Sequence, residues 1–273
     1  MTLADRFDGL LIDLDGVVWI GREPVPGSPE ALAALLAAGK ELCFVTNNPT
    51  RRPREYAERL QGLGVAVGPE RVVTAGMVAA RLAAEAAGDG GVFVIGASAL
   101  KEMVAEAGAE VLEGEDGRGA GIVIVSGHRG FDYEELLTAK LALDGGAALF
   151  ATSHDPTMPM PGGDWPGTGS ILAAVETASG RVAEIAGKPE HHLFEMALAA
   201  IGRGSFARDG RTKEPRDGRV AMVGDRVSSD IDGGHGAGLA TVMVLSGAGT
   251  RADAEAAAPG PDHVVANLAA LLE

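Results

Sequence analysis

One stretch constrains this chain more than any other. The apolar run Gly9-Leu10-Leu11-Ile12 ends in Asp13-Leu14-Asp15-Gly16. A short apolar run closed by a turn residue suits a strand buried in a parallel sheet. Open sheets of that kind bind ligands outside the carboxyl ends of their strands. Two acids delivered to such an edge suit a hard cation, or a division of labour between nucleophile and acid. Asp and Gly also populate turns for backbone reasons alone, so the pair leaves both readings open until other segments are read.

The pattern repeats. Ser28-Pro29 reads as an N-cap and a proline at the first helical position, ahead of an Ala/Leu-rich helix closed by Gly39. Glu41 to Val45 is the second strand, and it delivers the polar cluster Thr46-Asn47-Asn48-Pro49. A helix from Pro53 to Gly62 follows. Arg51, Arg52 and Arg54 at its start read as a solvated face paired with Glu55 and Glu58 rather than as phosphate ligands. Arg71 to Thr74 is the third strand and Met77 to Ala87 the next helix.

From Val92 the alternation starts afresh. Strands at Val92 to Ile95, Ile122 to Val125 and Ala148 to Ala151 enclose a helix at Ala99 to Ala107 and another from an Asp132/Glu135 capping box to Leu143. A long loop from Thr152 to Gly169, a helix from Thr168 to Ala178 and a strand from Val182 to Ala186 complete this second α/β unit. Such a unit with its own alternation reads as an inserted domain.

Gly187-Lys188-Pro189 then precedes a helix from Glu190 to Ile201. Lysine opposes a positive helix N-terminus unless both aim at an anion; the alternative is a surface lysine reaching water. Gly202 to Arg219 is a charged stretch without periodicity, expected as an exposed connection. The strand Val220 to Val223 delivers Gly224-Asp225-Arg226, with Asp230 soon after. Thr241 to Leu245 is a further strand, and Asn267 to Leu272 a short closing helix.

Length and charge narrow the function. A chain of 273 residues allows one large domain or two modest ones. The net charge of −15 argues against a nucleic-acid partner and makes any anionic substrate depend on local positive charge. No apolar run is long enough to span a bilayer, and Asp5, Arg6 and Asp8 break up the start of the chain where a signal peptide needs an apolar core. The one cysteine, Cys43, sits inside an apolar strand and reads as a packing residue in a reducing cytoplasm.

Together, Asp13-x-Asp15-Gly16-Val17, Thr46-Asn47-Asn48, Gly187-Lys188-Pro189 and Gly224-Asp225-Arg226-x-x-x-Asp230-Ile231 resemble the four motifs of the haloacid dehalogenase superfamily of phosphatases. Asp15-Gly16-Val17-Val18-Trp19, Asp155-Pro156-Thr157 and Pro166-Gly167-Thr168-Gly169-Ser170 resemble its NagD/4-nitrophenylphosphatase-type branch. The resemblance implies an α/β fold: a Rossmann-like core with a parallel sheet, made from residues 1–77 and 182–273, and an inserted α/β cap of type C2 over 78–181. It implies that Asp13 takes the phosphoryl group as an aspartyl phosphate and that Asp15 serves as acid and then base. Thr46, Asn47 and Asn48 would bond the phosphoryl oxygens, and Lys188 would balance their charge. Asp13, the Asp15 carbonyl and Asp225 would bind Mg²⁺, with Asp230 supporting the metal shell.

The cap loop Ser126-Gly127-His128-Arg129-Gly130 is where such caps reach substrate, so His128 or Arg129 is expected either to read the leaving group or to lie on the surface. Ser229 stands where the family more often has Thr, and Ser153-His154 departs from its usual cap segment. The partner implied is a small phosphorylated metabolite (a sugar, glycerol, glycolate or nucleotide phosphate), with a homodimer as the assembly. Two other readings share the core: a phosphomutase that passes the phosphoryl group to a sugar, and a non-catalytic binder of phosphometabolites.

Overall fold

The computed structural model describes residues 1–86, 90–160, 162–203 and 219–273. Its first half-sheet is built from β1 (Gly9–Asp13), a two-residue hairpin β2 (Trp19–Ile20) and β3 (Glu23–Pro24), α1 (Ser28–Ala37), β4 (Glu41–Thr46), α2 (Pro53–Gly62) and β5 (Val72–Thr74). Helix α3 (Ala75–Ala86) leads into a second unit. That unit contains β6 (Val92–Ile95), α4 (Ser98–Glu106), β7 (Val111–Leu112), β8 (Ile122–Val125), α5 (Tyr133–Asp144), β9 (Ala148–Ala151), the hairpin β10 (Thr157–Met160) and β11 (Gly163–Pro166), α6 (Thr168–Ser179) and β12 (Glu184–Ile185). The chain then returns through α7 (His191–Ala200), β13 (Val220–Gly224), α8 (Asp232–Gly236), β14 (Ala240–Val244), α9 (Arg251–Ala256) and β15 (His263–Val265).

Two parallel sheets result. The larger runs β15-β14-β13-β1-β4-β5 and the smaller β12-β9-β8-β6-β7. β1 is therefore central, flanked by β13 and β4. Its register sets Ile12 opposite Val223 and Asp13 opposite Val45, so Asp13, Thr46 and Asp225 emerge together at one edge. Side chains alternate across the sheet as the strand period requires. Leu10 and Ile12 join Leu32, Leu35, Phe44, Leu60 and Val223 on one face, while Leu11, Cys43, Val45 and Met222 meet Phe194 and Leu198 of α7 on the other.

That second face does not stop at the larger sheet. Ala75, Val78, Ala79, Ala80 and Ala83 of α3 belong to the same apolar cluster, which continues into Val92, Val94, Ile122, Ile124 and Phe150 of the smaller sheet. Arg52, expected to pair with Glu55 and Glu58, instead ties α2 to the second unit through Glu102 and Glu106 of α4. Only its backbone N–H meets the Glu55 carboxylate, at 2.8 Å.

Local signals were mostly placed well, with several shifts. Gly27, not Ser28, caps α1, and Ser28 Oγ donates to Val17 O at 3.0 Å. Asp132 accepts from the Glu135 N–H at 2.9 Å, but the Glu135 carboxylate turns to His128, so the expected capping box is half made. The strand expected over 182–186 is confined to Glu184–Ile185, an edge strand beside β9. The Pro/Gly-rich loop contains the β10–β11 hairpin, and the closing segment is a 3₁₀ turn, Leu268–Leu272, capped by Asn267. Cys43 is buried and free, and burial pushes its thiol up to about 12, which suits packing. The connection expected over 202–219 lies, from 204 to 218, outside the described residues. Among the described residues no helix is long and apolar enough to cross a membrane.

Candidate active site

Four buried side chains from three segments converge at the carboxyl edge of the larger sheet. Lys188 Nζ donates to Asp13 Oδ1 at 2.7 Å and to Asp230 Oδ1 at 2.7 Å. Asp225 completes the group, and one carboxylate oxygen each from Asp13, Asp225 and Asp230 lie within 4.8 Å of one another. The surface alternative for Lys188 does not hold, because the residue is only 2% exposed. Burial works against its charge, yet Asp13 and Asp230 together hold the ammonium above the ordinary lysine value.

Three carboxylates share this space with a single ammonium, so negative charge is in excess. The strain shows in their proton affinities. Burial, with Asp230 and Asp225 beside it, pushes Asp13 well above the carboxylate range against the pull of Lys188. Burial and Asp230 raise Asp225 to about 6. A divalent cation relieves that repulsion, and one atom is free to meet it. Asp225 Oδ1 is buried without a hydrogen-bond partner among the described residues, an arrangement that ordinarily costs about 1–3 kcal/mol. Its other oxygen, Oδ2, accepts from Ala248 N–H at 2.6 Å, which aims the carboxylate. An all-oxygen donor set of this kind fits Mg²⁺, which keeps several waters and needs few protein ligands.

Asp230 differs from its neighbours. Its Oδ2 accepts from the backbone N–H groups of Asp225 and Arg226, each at 3.0 Å, while Oδ1 takes the lysine. Both oxygens are thus engaged in holding Asp225 and Lys188. The glycines around Asp225 are equally specific. Gly16 has φ +87°, and a Cβ there would stand 2.3 Å from Asp225 Oδ2.

Asp15 lines the cleft two residues after Asp13. Burial raises its carboxyl above the ordinary value, opposed by hydrogen bonds from Trp19 and Asn48. In the second motif, Thr46 Oγ1 accepts from Asn48 N–H at 3.1 Å. Asn47 acts as a clasp: its Oδ1 accepts from Lys188 N–H at 2.7 Å and its Nδ2 donates to Lys188 O at 2.9 Å. The same Nδ2 lies 3.4 Å from Asp155 Oδ2 in the second unit.

The resulting cavity, about 120 Å³, is lined on its second-unit side by Gly127, Ser153, Asp155, Met158, Met160 and Thr168. His128 and Arg129 are not among the lining residues. His128 Nε2 pairs with Glu135 Oε2 at 2.8 Å, and the Arg129 guanidinium stacks 4.9 Å from the Trp165 ring centroid. Of the two readings open for this loop, the positions of His128 and Arg129 agree with the surface one, and Gly127 forms the wall, its N–H donating to Thr168 Oγ1 at 2.9 Å. Asp155, whose Oδ2 accepts from Ser153 Oγ at 2.6 Å, was legible only as part of a family segment.

Comparison with known proteins places this edge in context. A family model described as haloacid dehalogenase-like hydrolase matches residues 10–110, and an HAD-hydrolase-like model matches 185–271. Mouse chronophin is 37% identical over 281 residues, spanning 97% of this chain and 92% of that protein. The chain belongs to the haloacid dehalogenase-like hydrolases. Within them, this hydrolase lies close to the NagD, 4-nitrophenylphosphatase and chronophin branch. The crystal structure of glycerol phosphate phosphatase from Mycobacterium tuberculosis in complex with magnesium superposes with a TM-score of 0.85 at 34% identity, covering 99% of this chain and 78% of that one. NagD from E. coli superposes at 0.80 with 27% identity and 98% coverage of each chain. The hydrolase is a phosphatase of this type, and its Asp13, Asp225 and Asp230 form a group that could hold a metal ion.

Proposed function

We propose that this hydrolase cleaves small phosphomonoesters, with glycerol and sugar phosphates as the substrate class, in a Mg²⁺-dependent reaction that passes through a phosphorylated Asp13. The observation that carries this reading is the buried Asp13–Lys188–Asp230 array beside the unpartnered Asp225 Oδ1. The modest cavity supports a small leaving group.

Asp13, Asp225 and the Asp15 carbonyl would hold the metal, and Asp230 positions both Asp225 and Lys188. When bound, Mg²⁺ supplies a Lewis acid that draws charge from the phosphoryl oxygens. Asp13 forms a bond to phosphorus as the ester P–O bond breaks, and Asp15 gives its proton to the departing oxygen. In the second half Asp15 takes a proton from water as that water's oxygen bonds phosphorus and the bond to Asp13 breaks. Lys188 offsets the anionic charge of the transferring group in both halves. Thr46, Asn48 and the Asn47 backbone orient it; the Asn47 side chain serves Lys188 instead.

The catalytic unit proposed is residues 1–77 and 182–273 with a cap over 78–181, to whose sheet the short strand Glu184–Ile185 adds an edge. His128 and Arg129 support the cap wall rather than line the cavity, His128 through Glu135 and Arg129 through Trp165. A pair of such chains in the cytoplasm, acting on metabolites and not on nucleic acid, agrees with the family resemblance, the acidic balance and the free Cys43.

Release of orthophosphate from a panel of phosphomonoesters tests the reading. Asp13→Asn is expected to lower turnover by roughly 10³-fold or more, and chelation to abolish it reversibly. Wild-type turnover in either case, in correctly folded protein, would falsify the proposal.

A further inference from the structure

One side chain beside the site has no part in the chemistry above. Trp19 is completely buried, and its indole Nε1–H donates to Asp15 Oδ1 at 3.0 Å. The backbone brings the two together. Trp19 N–H donates to Leu14 O at 3.2 Å and Gly16 N–H to Trp19 O at 2.7 Å, so the chain leaving β1 coils back on itself.

Helix α2 then holds the indole still. The Arg59 guanidinium carbon lies 3.8 Å from the Trp19 ring centroid, and Arg59 Nη2 donates to Gly21 O at 2.8 Å. The Tyr56 ring lies nearly parallel to the indole, 5° between planes and 6.2 Å between centroids, with its hydroxyl donating to Asn48 O at 2.8 Å. A cation over the ring face and a parallel aromatic neighbour are both favourable. An aromatic ring so fixed gives its single N–H one direction.

From this geometry we infer that Trp19 is a positioning residue for proton transfer: it decides which oxygen of Asp15 carries the proton. A protonated carboxyl has one O–H, and an indole N–H only donates. With Oδ1 accepting from Trp19, the proton is assigned to Oδ2, from which it passes to the ester; the Asn48 side chain also bonds this carboxyl. As the P–O bond breaks, the Oδ2–H bond breaks too and its proton passes to the leaving oxygen. In the second half a proton from water returns to Oδ2. Without the indole, the carboxyl rotates and its proton is shared between two oxygens, one of them misdirected.

The inference rests on Asp15 being the proton donor, and leaving-group dependence tests both separately. Phenyl phosphate and 4-nitrophenyl phosphate have nearly the same shape, but phenolate needs a proton to depart far more than 4-nitrophenolate does. The parameter kcat/KM reports events up to that departure. Trp19→Phe keeps an aromatic ring and removes the donor. It is expected to lower kcat/KM for phenyl phosphate about tenfold more than for 4-nitrophenyl phosphate, a fraction of the ~10²–10⁴-fold that a positioned proton donor contributes.

Arg59→Lys keeps the positive charge that acts on Asp15 but gives up the guanidinium stacked on the indole, and it is expected to move the ratio the same way by less. It decides the matter should Trp19→Phe lose its near-UV circular dichroism and prove unfolded. Equal losses on both esters, or no loss on either, in a folded variant overturn the role of Trp19. Asp15→Asn is measured alongside. If it spares phenyl phosphate, the reading of Asp15 falls and the inference with it; if it selectively loses that ester while the Trp19 and Arg59 variants do not, the inference alone falls.

Discussion

Lys188 and Asp230 form a fully enclosed ion pair, Nζ to Oδ1 at 2.7 Å, with side chains 2% and 0% exposed. Since Asp230 Oδ2 also takes the Asp225 and Arg226 N–H groups, one carboxylate fixes the lysine and the strand end that presents Asp225. Charge balance and geometry are therefore coupled at this residue.

Removing the ammonium should be costly twice over. Lys188→Met leaves Asp13, Asp225 and Asp230 buried together without a cation, a loss of about 3–5 kcal/mol for a broken buried pair. Turnover should fall to background. Urea denaturation with EDTA and with Mg²⁺ checks the first effect, and the deficit should shrink when the metal is present.

Metal binding should depend on pH with a definite sign. In metal-free protein Asp225 titrates near 6. Its raised folded value contributes stability that is complete below the ordinary carboxylate pKa of 3.8 and is lost as pH rises through about 6. Mg²⁺ requires the ionised form, so the thermal stabilisation it confers should grow from pH 5 to pH 7. Below about pH 6 its affinity should weaken by up to about tenfold per unit for each proton displaced. Calorimetric titrations across that range are the check, and an affinity independent of pH contradicts the assignment.

Gly16→Ala should damage the metal site more than the fold. The backbone at φ +87° disfavours any L side chain, costing about 1–2 kcal/mol, and the new methyl would meet Asp225 Oδ2. A weakened Mg²⁺ affinity, with circular dichroism largely unchanged, is the expected outcome.

Asn47→Ala opens the clasp on Lys188. It removes the two hydrogen bonds to the Lys188 backbone, worth about 1–3 kcal/mol where partners are left unsatisfied. A lower melting temperature and a lower kcat should appear together. Asn47→Asp keeps the acceptor for Lys188 N–H but sets a carboxylate oxygen against Lys188 O and the Asp155 carboxylate, so it should lose at least as much stability as Asn47→Ala.

That Asp13, Thr46 and Asp225 meet at one sheet edge was legible because the signals are local. Each follows an apolar run within a residue or two, and parallel pairing puts strand ends together whatever the intervening length. What is not local was not legible. Asn47 meets Lys188 across 141 residues, so its side chain could not be told from a phosphate ligand. His128 looked exposed and chemically apt, but Glu135 seven residues away captures its ring. The strands Val111–Leu112 and His263–Val265 are short and half-buried, leaving no apolar run to notice. The hairpin at Thr157–Pro166 was hidden by prolines and glycines that read as loop.

Helix α3 belongs to both sheets at once, since its alanines and Val78 are covered by residues of each. Neither unit can be exchanged for a foreign counterpart without matching that shared surface. Diversification by shuffling whole modules is thereby discouraged. New ester preferences are more easily acquired at the Thr157–Pro166 ribbon, whose outer strand lies exposed and whose inner strand supplies Met158 and Met160 to the cavity wall.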